Sequence, residues 1–362
     1  MKKEGEIRIP SGCAISGILN KNGERINGED IITSIELMRD RSNGLGGGFA
    51  AYGIYPQYED LYALHIFYDD LVSKASTEDF LNRHFEIETA GKIPTRKKKG
   101  IDGEPLIWRY FVLPRRFKLH ESELKESEYV ARCVFRINGH YEGAYVFSSG
   151  KNMGAFKGVG YPEDIGRFYM LETYEAYLWT SHGRFPTNTP GWWGGAHPFT
   201  LLNWSVVHNG EISSYDANRR FVEMYGYDCT LQTDTEVITY IFDLLLRKHK
   251  LGLKQAVEIM ATPFWREIAL MSEEDQKKFE AIRAVYSSAL INGPFSIILG
   301  FEGGMLALND RIKLRPLVAA EKGDTLYVAS EEAAIRVICS EPERVWSPRG
   351  GEPIIGLVEG RR

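Results

Sequence analysis

The sequence predicts a layered fold that mixes helices and strands, and three features carry that expectation. Short apolar, β-branched runs bounded by turn residues alternate with segments whose apolar residues recur at helical spacing. Of 362 residues, 43% are hydrophobic and 26% charged, a balance that supports a sizeable core and excludes intrinsic disorder. The most apolar stretch, 289–308, is broken by Asn292, Gly293, Pro294 and Glu302, so it cannot cross a bilayer without burying a charge and broken backbone. Length alone corresponds to about two average domains.

Residues 1–12 form a leader with basic residues but no apolar segment behind them, which excludes a secretory signal. The run 13–19 reads as a buried strand ending at the Asn22-Gly23 turn. Ile31, Ile32, Ile35 and Met38 then mark a helix, stopped by Ser42-Asn43-Gly44, and the glycines 46–48 open into a strand over 49–55. Between 61 and 147 the pattern becomes strand (61–68), helix (77–89), strand (105–113), helix (122–135) and strand (143–147), the mark of an α/β insertion. Its KIPTRKKK stretch, 92–99, reads as a solvated basic loop, with partner docking or anion binding as the alternative. Strands over 176–183 and 201–210 flank a loop rich in Pro, Gly and Trp, the kind of long connection that tends to carry sites. A helix over 235–250 follows, with Val237, Ile238, Ile241, Leu244 and Leu245 on one face. Amphipathic helices then run from 253 to about 290, ahead of strands over 296–301, 304–308 and 324–330. The last predicted helix is capped by Ser330, with Glu331 and Glu332 in its first turn.

Charge and cysteine usage narrow the function classes. Lys and Arg number 44 against 49 Asp and Glu, a net charge of −5 that offers no field to a phosphate backbone or an anionic membrane. Neither nucleic acid nor membrane is expected as a partner. Cys13, Cys133, Cys229 and Cys339 stand singly, without CxxC spacing, and read as thiols of a reducing, cytoplasmic compartment. The glycine run 44–48 is not a dinucleotide fingerprint, because Phe49 stands where the third glycine would and a strand follows in place of a helix. No P-loop, HExxH or close His/Cys metal spacing is present, so no metal is expected.

Four places put polar groups at the end of an apolar element, where they can face a pocket: Cys13, the segment 182–189, the segment 208–212, and Thr233 to Glu236. Each has an ordinary structural reading taken alone. A single Cys packs as a small hydrophobe, a strand-end Arg forms a surface ion pair, Asn-Gly turns a hairpin, and Thr-Asp caps a helix.

In this order they resemble the class II glutamine amidotransferases, whose glutaminase domains are Ntn (N-terminal nucleophile) hydrolases, and most closely the amidotransferase part of glutamate synthase. The resemblance runs from Cys13 through RFPTNT (184–189), AHPF (196–199), HNGEI (208–212) and TDTEVI (233–238) to NDRIKLRP (309–316) and ASE (329–331), nearly the whole chain outside the insertion. It implies an α+β fold, a four-layer αββα sandwich over 13–362, with residues 1–12 as a propeptide and 61–147 as the insertion. It also implies roles. Cys13 would be the nucleophile once it is the first residue, because a free α-amine of pKa about 7.7 to 8.0 can take the thiol proton and a peptide nitrogen cannot. Arg184 would hold the substrate α-carboxylate with its planar fork, and Asp234 the α-ammonium. The Asn209 side-chain amide and the Gly210 N–H would form the oxyanion hole, and Thr187 would help order the pocket.

Two positions depart from the pattern: Ala14, where the family usually has Gly, and Pro186, where many members have a small hydroxyl or Ala. Until removed, the leader is expected over or in the site. Trp192 and Trp193 are read evenly as a flap over substrate or as packing. His182, His197 and His208 are expected to be structural, since the chemistry needs no imidazole, and Arg315, Pro316 and Glu331 to support the core. The implied function is hydrolysis of L-glutamine to L-glutamate and ammonia without a cofactor. The 362 residues leave no room for a synthase domain, so the ammonia is expected to pass to a separate FMN and iron–sulfur glutamate synthase subunit. The alternatives are a glutaminase serving another acceptor, such as an amidophosphoribosyl or amino-sugar pathway, and an unprocessed, inactive glutamine sensor.

Overall fold

The computed structural model describes residues 12–185 and 191–360. Ala14–Asn20 lies inside a seven-stranded antiparallel sheet ordered Arg344–Trp346, Val318–Lys322, Thr325–Ala329, Ala14–Asn20, Leu178–Gly183, Gly47–Tyr52, Met153–Gly158. A five-stranded antiparallel sheet runs Phe199–Leu201, Trp204–Gly210, Phe295–Phe301, Gly304–Asn309, Ile354–Leu357. Alternation along each strand decides which face is which. Ile15, Leu19, Ala50, Tyr52 and Leu178 of the first sheet meet Val207, Ile298, Met305 and Ala307 of the second in one buried cluster.

Their chain neighbours Ala14, Ile18, Phe49, Ala51 and Trp179 face the other way, into a cluster with Ile31, Ile32 and Ile35 of helix Gly28–Leu37, Ile165 of Pro162–Phe168 and Ile335 of Glu332–Arg336. Val206, Ile297, Leu299, Leu306 and Leu308 face outward from the second sheet, into a cluster with residues of Tyr215–Glu223, Asp234–Phe242 and Leu253–Met260. The fold is the four-layer αββα sandwich that the resemblance implies. Strands covered on both faces read as continuous apolar runs, which is why alternation was not visible in them. The layers approach closely at Gly17, where a Cβ would lie 2.7 Å from Met305 Sδ and 3.3 Å from Ile298 Cδ1. Nearby, the Tyr52 hydroxyl donates across the layers to the Gly300 carbonyl at 2.7 Å.

Within 61–147 a separate four-stranded sheet forms, ordered Phe85–Lys92, Leu106–Pro114, Tyr62–Tyr68, Ala144–Ser148, with helices Leu71–His84 and Glu126–His140. The basic stretch 92–99 is largely solvated, with Ile93 buried, and two of its cations are paired. Arg96 pairs with Glu172, its N–H donates to Phe168 O at 2.9 Å, and Lys98 Nζ lies 3.1 Å from Asp164.

Several elements differ from the expectation, each for a physical reason. The helix predicted at 77–89 runs Leu71–His84, because Asp70 caps it by accepting from Ser73 N at 2.7 Å; Phe85 and Ile87 then turn to one face of a strand. The helix predicted at 122–135 is two, Arg116–Ser122 and Glu126–His140, separated where Glu123 adopts φ +57°. The run 201–210 is a hairpin, with Leu202 turning at φ +51° between Phe199–Leu201 and Trp204–Gly210. The helix predicted at 235–250 widens to a π-turn over Asp243–Lys248, where the buried Asp243 carboxylate accepts from Trp204 Nε1 at 2.9 Å and Arg247 Nε at 2.6 Å. Strand Met153–Gly158 was not predicted, since its interior carries Lys157. Its amine is fully buried and donates to Gly194 O at 2.9 Å and Pro198 O at 3.2 Å, which holds the Trp-rich loop. Among the described residues no helix is long and apolar enough to cross a membrane.

Candidate active site

Cys13 stands directly before Ala14–Asn20, and Ala14 pairs with Gly183 of the neighbouring strand. That register brings Cys13 beside Arg184 and Phe185, which continue the neighbour. The Phe185 N–H points at Cys13 Sγ from 3.3 Å. Arg41 Nε donates to the Cys13 carbonyl at 3.0 Å, and Arg41 Nη1 reaches Glu331 at 2.7 Å. Burial pushes the Cys13 thiol up, while the Phe185 N–H and the Arg184 and Arg315 guanidiniums act in the opposite direction. A thiol held above its ordinary range needs a base at the moment of attack.

The other wall comes from the five-stranded sheet. Gly210 ends strand Trp204–Gly210 at φ +151°, and a Cβ there would fall 2.0 Å from Pro294 O, so only glycine fits. The Asn209 side chain is fully buried beneath it and donates from Nδ2 to Ser330 Oγ at 3.3 Å. Ser330 is therefore not the helix cap that the sequence suggests. Glu331 occupies the cap position, and Ser330 Oγ instead accepts from Ile15 N at 3.1 Å. Glu331 does not support the core either: its side chain is nearly half exposed and pairs with Arg41.

Asp234 opens helix Asp234–Phe242, whose Thr233 cap side chain accepts from Thr235 N. Its carboxylate takes the Ile212 N–H at 3.2 Å and the Thr235 hydroxyl at 3.1 Å, with His208 Nδ1 at 3.5 Å. Burial would raise this acid, yet His208 and these two donors bring it below its ordinary value, so it is a carboxylate at neutral pH. Beneath it lies an imidazole stack. His182 and His197 overlap with ring centroids 3.9 Å apart, His182 Nε2 donates to His208 O at 2.9 Å, and His197 Nε2 lies 2.8 Å from Thr235 Oγ1. Burial, with Arg184 nearby, lowers His182 to about 3, so it is neutral.

Cys13, Arg184, Gly210 and Asp234 line one pocket of about 260 Å³, together with Ile212 and Gln232. Asn209 sits behind the lining. Thr187 and Pro186 lie outside the described residues, as does the leader 1–11. Gln232, at φ +53°, also borders a larger cleft of about 1190 Å³ lined by Asp102, Tyr141 and Trp192. Trp193 is packed against Phe67 and Phe168, whereas Trp192 is 42% exposed on that cleft. Opposite charges on the pocket walls, a thiol and backbone donors are the equipment for holding a zwitterion and attacking its side chain. Among the described residues no group of three His, Cys, Asp or Glu is placed to hold a metal ion.

Sequence reasoning missed Arg41 and the role of Ser330. Arg41 sits in an Arg-Asp-Arg run that reads as a polar helix end, and nothing local marks it. The Thr-Asp-Thr string did flag the Asp234 neighbourhood, although Thr235 as its hub was not foreseen.

The family signature of glutamine amidotransferases class-II matches residues 96–233. An uncharacterized protein of Archaeoglobus fulgidus is 50% identical over 352 residues, covering 96% of this chain and 93% of the relative. The glutamate synthase [NADPH] large chain of Bacillus subtilis is 28% identical over 301 residues, covering 75% of this chain but 19% of the relative. Among solved structures, glutamine phosphoribosylpyrophosphate amidotransferase from B. subtilis superposes with a TM-score of 0.50 at 16% identity, covering 97% of this chain and 48% of that one. The last likeness concerns the fold alone.

Proposed function

Because this chain belongs to the class II glutamine amidotransferase family, we propose that it is the glutaminase component of a glutamate synthase-type system, releasing ammonia from L-glutamine for a separate acceptor subunit. The observation that carries the reading is the convergence of Cys13, Arg184, Gly210 and Asp234 on one pocket from four separate elements. With residues 1–12 removed, the Cys13 α-amine takes the thiol proton as Sγ attacks the side-chain carbonyl carbon of glutamine. Arg184 holds the α-carboxylate and Asp234 the α-ammonium, so a free amino acid is selected over a peptide. Asn209 Nδ2 and the Gly210 N–H receive the oxyanion, and Thr187 orders the pocket rim. The amine returns its proton to the departing nitrogen, the C–N bond breaks, and ammonia leaves a thioester on Cys13. Water then hydrolyses the thioester to glutamate and frees the thiol.

As acceptor we propose a separate FMN and iron–sulfur glutamate synthase subunit, a reading that the likeness to a glutamate synthase large chain supports, in the reducing cytoplasm that four unpaired thiols suit. N-terminal sequencing of the native protein, with glutaminase assays of the parent and of Cys13→Ala, tests the proposal. A chain starting at Cys13 that releases ammonia, and a variant that binds glutamine but releases none, are expected. Equal activity in Cys13→Ala, or full activity in a chain that still begins at Met1, refutes it.

A further inference from the structure

Resting on that hydrolysis, we propose that Ser330 is a positioning residue that fixes the oxyanion amide relative to the nucleophile strand. Its main chain extends Thr325–Ala329 along Ala14–Asn20, and its N–H donates to Ile15 O at 2.9 Å. Its Oγ accepts the Ile15 N–H at 3.1 Å, two residues from Cys13, and the Asn209 Nδ2 at 3.3 Å. One hydroxyl oxygen thus ties a donor from the seven-stranded sheet to a donor from the five-stranded sheet. Among the described residues this is the one hydrogen bond of the Asn209 side chain, since Oδ1 has no partner there. An amide held at one corner takes its orientation from that corner. One Nδ2 hydrogen goes to Ser330 and the other is left to aim at a developing oxyanion.

Ser330 is 1% exposed and its Oγ is already engaged by the Ile15 N–H and Asn209 Nδ2, so it acts through that amide and not on glutamine itself. Its loss must act on kcat and leave KM alone. A misplaced oxyanion donor costs rate steeply, about 10²-fold for a displacement near 1 Å.

The test is steady-state glutaminase kinetics on the processed chain. Ser330→Ala is expected to lower kcat about tenfold or more with KM within about twofold, and to cost nothing further in an Asn209→Ala background, because the effect runs through that amide. Ser330→Cys, close in size and a weaker acceptor, is expected to fall between parent and Ala, and it serves the test if the Ala variant fails to fold. An unchanged kcat in either variant, or the same fold-loss with and without Asn209, overturns the inference. Cys13→Ala reports separately on the hydrolysis: its inactivity alongside a full-rate Ser330→Ala sinks this inference alone.

Discussion

Arg184 owes its position to strand pairing. It follows Gly183 in a strand locked to Ala14, its N–H donates to Gly46 O at 2.9 Å, and its carbonyl accepts from Ser42 Oγ at 3.2 Å. Backbone fixed at both ends sets the direction in which the side chain leaves the strand. Because a planar fork meets a carboxylate with two parallel bonds and an ammonium cannot, Arg184→Lys should raise KM for glutamine about tenfold or more with a smaller change in kcat. Initial-rate kinetics decide this, and an unaltered KM would place the carboxylate elsewhere. The residues legible in the sequence were those whose meaning is local: a thiol at a strand start, Asn-Gly at a strand end, Thr-Asp at a helix start. Arg41 and Ser330 were not, because what they do depends on partners 290 and 315 residues away along the chain.

The end of strand Trp204–Gly210 shows what a single element must supply. Its last residue turns at φ +151° under the Pro294 carbonyl, which also accepts the Glu211 N–H at 3.0 Å. Gly210→Ala should therefore displace the strand end, lowering stability by about 1–3 kcal/mol and removing most glutaminase activity. Urea unfolding with a parallel assay checks both, and a variant of parental stability would contradict the geometry. Elements with clean local signals, such as helix Gly28–Leu37 and strands Phe295–Phe301 and Gly304–Asn309, were readable from spacing and turn residues. Those that depend on tertiary partners were not. Nothing local announces that Lys157 can be buried in a strand by two loop carbonyls, or that a helix loosens around the buried Asp243. The layer order itself came from the family resemblance, since alternation is invisible in strands buried on both faces.

Across the whole molecule, buried histidines set the response to acid. Burial lowers His65 and His182 to about 3, and His197 well below its ordinary value. Below the unfolded value near 6.5 these groups bind fewer protons folded than unfolded, so unfolding takes up protons and stability is lost as pH falls from there toward their lowered values. Glu236 opposes them: burial raises it to about 7, so between its ordinary 4.5 and 7 it favours the folded state increasingly as pH falls. The histidines lowered by burial outnumber the acids it raises, and thermal melts should show Tm falling from pH 7 to pH 5; a flat or rising Tm would contradict this balance.

The close approach of the two sheets at Gly17 carries a last consequence. On the proposed chemistry the sulfur hangs from one sheet while the oxyanion donors hang from the other, so their separation is set by how closely the two sheets pack. Bulk wedged in at Gly17, or apolar volume taken out around Met305 and Ile298, would then change reactivity from a place no substrate reaches, as a spacer under one jaw alters the bite of a vice.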